Sequence, residues 1–317
     1  MSSDGKIQIS LVYGPQQGPP AILYENEQAV LWTSATRQEG MANVGMGFYS
    51  LPNPGPEDYF LAIEPYCVLE RDYDPTYVGM YRKIFTWTPA AFASPVFNGK
   101  IVEINHPSCK TLPDPDRTIA SWKPWEERAD EIVFIANNKS SRHDSELYTF
   151  RLQMADQLSQ RSKFKVSWYG EIPISRKFYR GKAESKDQIL RNAKFSVCTE
   201  NCYHPIYSHN YFTEKMPEVW LAGAVPIYFG CYNINDFGFA THSYLDLRTY
   251  VNKAGKDIHH IDFDSLLSRI ENFDPPRYEN FKEDVRYNIK KEHGLYHVIS
   301  YDRMYETIIQ TIVQANS

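Results

Sequence analysis

Glu214 and Lys215 stand side by side at the start of the segment 213–223, which the sequence pattern predicts to be a helix. An acid next to an ammonium at a helix start suits a nucleotide sugar. The carboxylate can accept hydrogen bonds from two neighbouring ribose hydroxyls, and the ammonium can balance a phosphate. Thr213 is expected to cap this helix, its hydroxyl accepting from a first-turn N–H. The remaining N–H groups and the positive end of the helix dipole are then left for an anion. Pro217 falls in the first turn, where a missing N–H does least harm. Just upstream, Lys194 to Thr199 reads as an apolar strand that delivers Glu200 and Asn201 at its C-terminal end, where parallel α/β sheets open the crevice that holds ligands. Asn201 is expected to bind donor because it leaves the strand directly into the loop, whereas Glu200 is expected to satisfy loop N–H groups. Tyr211 admits two readings, a contact to base or sugar and an anchor that packs the loop.

These residues need a frame, and the second part of the chain supplies a regular one. Strands are predicted at 131–136, 164–169, 194–199 and 225–229, alternating with helices at 144–160, 185–192 and 213–223. Strand and helix alternating at this spacing imply right-handed βαβ units and a parallel sheet. Gly223 is placed to close the last of these helices as a left-handed C-cap. The first part shows short strand-like runs at 6–13, 29–33, 59–63, 83–87 and 100–105, separated by loops rich in Pro and Gly. Between 107 and 127 four prolines interrupt any sustained period, which reads as a linker. The tail is helical, at roughly 262–272, 278–293 and 301–315. The expected organisation is an N-terminal acceptor-binding lobe over 1–128 and a C-terminal donor-binding lobe with a helical tail over 129–317.

The run Glu200-Asn201, Tyr211-Phe212-Thr213-Glu214-Lys215, Ala222-Gly223-Ala224-Val225-Pro226 and Gly230 resembles the donor-site signature of the α1,3/α1,4-fucosyltransferase family. That signature runs Phe-Glu-Asn, a short loop, Tyr-x-Thr-Glu-Lys, then Ala-Gly-x-Val-Pro-x-x-x-Gly. Two departures are visible. Thr199 stands where the family has Phe, and the loop is longer and holds His204 and His209. The resemblance implies the GT-B architecture, two Rossmann-like lobes with parallel sheets facing across a cleft. It also implies inverting transfer of L-fucose from GDP-fucose to a hydroxyl of an oligosaccharide or glycoconjugate acceptor, such as α1,3 to N-acetylglucosamine. Arg151, followed by Leu158, matches the family's Arg, six residues, Leu pattern for a phosphate-binding arginine, and Arg142 is its rival.

Such a transfer poses two electrostatic problems. Charge grows on the leaving diphosphate, and fixed cations with a helix N-terminus can meet it, as a metal held by carboxylates can elsewhere. The acceptor hydroxyl must lose a proton, which calls for a base. Glu64 is the candidate catalytic base, because it ends the apolar run Tyr59 to Ile63, precedes Pro65, and should stand at the C-terminal edge of the first sheet. The family also uses a first-lobe Glu in this role. Glu70, Asp72 and Asp74 are the alternatives.

Asp-x-Asp, a metal-binding doublet in other transferases, occurs at Asp72/Asp74, Asp114/Asp116 and Asp262/Asp264. The second lies among prolines and the third starts a helix, so both read as caps or turns. Asp72/Asp74 reads as a turn, a metal or acceptor site being the alternative. His204, His209, His259 and His260 do not pair with carboxylates at ligand spacing. No metal and no cofactor is therefore expected, GDP-fucose being a substrate.

Bulk properties narrow the partners. A net charge of −5 supplies no basic field to gather nucleic acid or an anionic membrane surface. Five cysteines are too few and too scattered for a disulfide framework, and Cys198 and Cys202 read as buried thiols. Gly-x-Gly-x-x-Gly and the Walker pattern are absent. No apolar run approaches the ~20 residues of a membrane span, and the residues before the first strand show no basic n-region with an apolar h-region. A cytoplasmic bacterial or viral enzyme, or an excised soluble catalytic domain, is the corresponding expectation. Two alternatives to a fucosyltransferase stay open: a GT-B transferase with another donor, and a non-catalytic glycan-binding protein.

Overall fold

The structure, a computed structural model, describes residues 5–13, 20–48, 50–106, 113–251, 261–290, 298 and 300–316. Cys109, His259 and His260 lie outside them. The chain divides into two compact units, and each has its own sheet.

The first unit comprises the described residues of Met1–Lys110, His204–Tyr211 and His297–Ser317. Its seven strands are β1 (Ile7–Val12), β2 (Ile22–Glu25), β3 (Ala29–Ser34), β4 (Ala42–Met46), β5 (Tyr59–Leu61), β6 (Lys83–Thr86) and β7 (Ile101–Glu103). They lie in the order β2-β3-β1-β4-β5-β6-β7. All neighbours are parallel except β2, which runs antiparallel along β3 at the edge. Sequence periodicity missed β2 and β4. Gly45 breaks the apolar pattern of β4, and that glycine is needed: a Cβ there would lie 2.8 Å from Ser50 Oγ. Short helix α1 (Pro75–Val78) is capped by Asp74, which accepts from Thr76 N–H at 2.8 Å.

The final helix, named α8 below (Tyr301–Asn316), packs on this first sheet. Its buried residues Met304, Tyr305, Ile308, Ile309 and Ile312 recur at the 3.6-residue period and meet Ile9, Leu11, Leu31, Val44, Leu61 and Phe85 in one core.

The second unit comprises the described residues of Thr111–Tyr203 and Phe212–Tyr296. The expected proline-rich linker holds a helix here, α2 (Pro115–Ala120), because Asp114 accepts from Arg117 N–H at 2.7 Å and Pro115 takes the first helical position. The strands are β8 (Ala129–Ile135), β9 (Lys165–Tyr169), β10 (Ala193–Thr199), β11 (Val225–Phe229) and β12 (Leu245–Asp246), in the order β12-β11-β10-β8-β9 and all parallel. The connecting helices are α3 (Tyr148–Arg161), α4 (Lys186–Asn192) and α5 (Lys215–Ala222), followed by α6 (Phe263–Glu271) and α7 (Pro275–Ile289). Asp262 caps α6 through Ser265 N–H, as its sequence position led us to expect. Gly223 closes α5 with φ 77°, in the left-handed region foreseen for it.

The expectation of an α/β protein with two mainly parallel sheets therefore holds. In the second sheet the chain runs from β8 to β9 on one side and then returns to place β10 on the other side of β8. This reversal leaves the C-terminal ends of β8 and β10 as a topological switch point, the place where open α/β sheets bind ligands.

Candidate donor site

A cavity of ≈ 70 Å³ opens at that switch point. Ile135 and Ala136 line it from the end of β8, Cys198 and Thr199 from β10, Arg151 from α3, Lys186 from α4, and Glu214, Lys215 and Glu218 from the start of α5. Three cationic side chains converge there, so the cavity is suited to an anion of phosphate size.

The hub beneath the cavity is Glu200, a carboxylate with 0% exposure. A buried carboxylate is costly unless donors surround it. Thr213 N–H donates to its Oε1 at 3.0 Å and Thr213 Oγ1 donates to its Oε2 at 2.7 Å. The Lys215 ammonium donates to Oε2 at 3.0 Å and to Thr213 Oγ1 at 2.8 Å. Tyr228 OH, from β11, donates to Oε1 at 3.3 Å. Burial, with the charge of Glu200 next in importance, pushes the Tyr228 phenol well above its usual range and keeps it a donor.

This arrangement corrects one expectation. Thr213 does not cap the helix: α5 starts at Lys215, its N-cap is Glu214, and no side chain caps it. Glu200, only one strand end away in space, takes both the Thr213 hydroxyl and its N–H and holds the turn below the helix start. Burial lowers the Lys215 pKa, but the carboxylates of Glu200 and Glu214 outweigh it and hold the ammonium above its ordinary value. Lys215 keeps 26% side-chain exposure, so its charge still reaches the cavity.

Arg151 is 5% exposed. Its Nε donates to Thr199 Oγ1 at 2.6 Å, and its Nη2 donates to the carbonyls of Thr199 at 2.8 Å and Glu200 at 3.1 Å. The departure of Thr199 from the family's Phe has a structural counterpart here, since a Phe offers no hydroxyl to Arg151. Arg142 is exposed in the loop before α3 and does not line the cavity.

The structure thus brings Arg151, Glu214 and Lys215 to one cavity, with Thr213 bonded just below. Asn201 and Tyr211 do not line it. The Asn201 carbonyl accepts from Leu147 N–H at 3.0 Å. Tyr211 belongs to the first unit, is 2% exposed, and packs against Trp87 at 5.6 Å and His106 at 5.1 Å between ring centroids. Of the two readings open for Tyr211, this packing is that of a loop anchor. Sequence reasoning missed Lys186 and Glu218, which are spaced like ordinary surface helix residues and pair at 3.4 Å. It also underrated Glu200, although one signal existed in Gly230, on which a Cβ would lie 2.3 Å from Glu200 Cβ.

In the first unit, Glu64 is half-buried three residues beyond β5, which ends at Leu61 rather than running to 63. Its carbonyl accepts from Tyr73 OH at 2.9 Å. The rival acids are differently engaged. Glu70 accepts from Tyr66 OH at 2.7 Å, Asp74 caps α1, and Asp72 is 1% exposed with Oδ1 accepting from Phe48 N–H at 2.7 Å. Cys67, Cys198, Cys202 and Cys231 are buried. Among the described residues, no group of three His, Cys, Asp or Glu is placed to hold a metal ion, and no helix is long and apolar enough to cross a membrane.

The second unit is similar to known proteins. Residues 125–266 match glycosyltransferase family 10 (fucosyltransferase), C-terminal part. The matched segment resembles that family's C-terminal part. It holds every residue that lines the cavity. A fucosyltransferase-like protein of Arabidopsis thaliana is 32% identical to this chain over 127 residues, which is 40% of this chain and 22% of that relative's length. Among solved structures, an α1,3-fucosyltransferase with GDP superposes with a TM-score of 0.59 at 12% identity, covering 100% of this chain and 93% of that one. An α1,3-fucosyltransferase with GDP-fucose gives 0.51 at 14% identity, covering 98% and 91%. At such identities the likeness establishes a shared fold alone, that of the GT-B glycosyltransferases.

Proposed function

We propose that the chain transfers L-fucose from GDP-fucose to a hydroxyl of a glycan acceptor with inversion at the anomeric carbon, α1,3 to N-acetylglucosamine being the acceptor linkage we favour. The carrying observation is the convergence of Arg151 and Lys215 on one cavity at the β8/β10 switch point of a lobe that resembles family 10. The GDP and GDP-fucose bound to the structural relatives support that choice of donor.

In the proposed reaction the acceptor oxygen forms a bond to the anomeric carbon while the bond from that carbon to the phosphate oxygen breaks. The electron pair leaves on GDP, and the acceptor proton passes to Glu64. Arg151, Lys215 and the start of α5 are fixed in place before the reaction, so they stabilise the charge growing on the leaving diphosphate without reorganising. Glu214, half-buried beside them, is assigned to the ribose hydroxyls. Asn201 and Thr213 hold the loop and turn around the donor, and Tyr211 anchors the loop from the first unit.

Calorimetric titration of GDP-fucose against UDP-sugars and other GDP-sugars tests the donor, and an acceptor array tests the product. GDP-fucose is expected to bind and to be consumed at the same rate with and without EDTA. Lys215→Ala is expected to cut turnover by at least ~100-fold, the scale of one lost charge-stabilising group. Tighter binding of a UDP-sugar overturns the donor assignment. Glycan binding with no consumption of any nucleotide sugar supports a non-catalytic lectin-like role instead.

A further inference from the structure

We propose that Glu200 is a positioning residue that keeps Lys215 charged and aimed into the cavity, so that the donor site works as a buried carboxylate–ammonium pair which an incoming diphosphate completes. This rests on the donor reading above and adds a residue that never touches the donor.

An ammonium at a largely buried position loses hydration and tends to give up its proton. Arg151, from α3, adds like-charge repulsion to Lys215, and Lys186, from α4, lines the same cavity. Glu214 stands 3.8 Å from the ammonium, and Glu218, also on α5, is paired with Lys186. The Cys198 thiol of β10, which burial pushes above its ordinary range, and the Tyr228 phenol of β11 carry no charge. Glu200 is therefore the carboxylate in direct hydrogen-bonding contact with Lys215, at 3.0 Å and with 0% exposure.

The same side chain sets direction as well as charge. Glu200 ties Lys215 Nζ to the Thr213 turn, and its carbonyl accepts from Arg151. One residue thereby fixes two of the cavity's three cations, Arg151 through the backbone and Lys215 through the carboxylate. Its own N–H donates to Phe229 O at 2.8 Å, which anchors the hub to β11.

The test follows Lys215 itself. In the full chain with 13Cε-labelled lysine, the Lys215 resonance is assigned by its loss in Lys215→Arg and titrated with pH. Glu200→Gln is expected to lower the pH of Lys215 deprotonation by about 1–2 units, because burial and Arg151 then oppose only Glu214. The alkaline loss of GDP affinity should move down by the same amount, and the double variant Glu200→Gln/Lys215→Arg should restore binding at alkaline pH, since a guanidinium stays charged. Should Glu200→Gln fail to fold, Glu200→Asp, which withdraws the charge by one methylene, is expected to give a smaller downward shift. An unchanged Lys215 titration in either folded variant overturns the proposal. If wild type binds no GDP at any pH, the donor reading fails while the lysine titration still decides the role of Glu200.

Discussion

Gly230 lies so close to Glu200 that a Cβ on the glycine would sit 2.3 Å from Glu200 Cβ and 2.4 Å from its Cγ. The glycine directly follows β11, next to the strand whose end carries Glu200, and its φ of 153° is one that L side chains rarely adopt. The last glycine of the Ala-Gly-x-Val-Pro-x-x-x-Gly run is thus the space that lets a carboxylate be buried under the donor cavity.

Gly230→Ala should therefore be costly out of proportion to its size. Overpacking against a side chain that hydrogen bonds pin from Thr213, Lys215 and Tyr228 is expected to destabilise the protein by about 3 kcal/mol. Urea denaturation should show a lower midpoint at unchanged slope, and GDP affinity should fall with it. A variant as stable as wild type would mean that Glu200 can move aside.

Glu64→Gln keeps the shape of the side chain and removes the carboxylate proposed as the base. Turnover is expected to fall by at least ~100-fold with GDP affinity unchanged, within the range for a lost general base. Initial-rate kinetics together with calorimetry separate the two effects. Unaltered turnover would move the base to another acid.

Asp72 gives a pH dependence whose sign is fixed by its burial. Loss of hydration pushes its carboxyl up, the Phe48 N–H opposes this, and the charge of Glu64 adds to it, with the result at about 7. Between the ordinary value of 3.8 and that point the folded protein holds a proton that the unfolded chain has released. Stability from this group is therefore lost as pH rises through the window and stays low above it. Asp72→Asn removes the component, so its stability relative to wild type should increase by about 2–4 kcal/mol from about pH 4 to about pH 8. Denaturation curves at a series of pH values check this, and a difference independent of pH would show that the carboxyl titrates normally.

Arg128 is 3% exposed and binds the C-terminal ends of two helices. It donates to Leu190 O at 3.3 Å, Ala193 O at 3.1 Å and Ala222 O at 2.9 Å, and its guanidinium lies 5.6 Å from the Tyr278 ring centroid. Arg128→Met leaves these carbonyls without their donor and should cost about 3 kcal/mol. Hydrogen exchange ought to quicken first in the last turns of α4 and α5. Uniform exchange across the unit would argue against this local role.

Local rules carried much of the second unit. The run Val225 to Phe229 became β11 residue for residue, Gly223 took the left-handed cap, and Asp262 capped its helix, because each depends on neighbours in the chain. Where a partner came from afar, local reading failed. Thr213 looked like a cap because Ser and Thr at such positions bond forward along the chain, whereas the strand end at Glu200 competes for the same hydroxyl and holds it at 2.7 Å.

The sequence by itself determined the βαβ alternation, the amphipathic face of α8 and the set of charged residues near the helix start, since periodicity and composition need no knowledge of what folds against what. Tertiary structure alone decided that α8 covers the first sheet, that Tyr211 packs with Trp87 and His106, and that Arg151 meets Lys215 over a buried Glu200. The physical reason is that burial and charge pairing join residues far apart in the chain. A carboxylate 15 positions from its ammonium becomes its partner only once β10 and α5 are packed side by side.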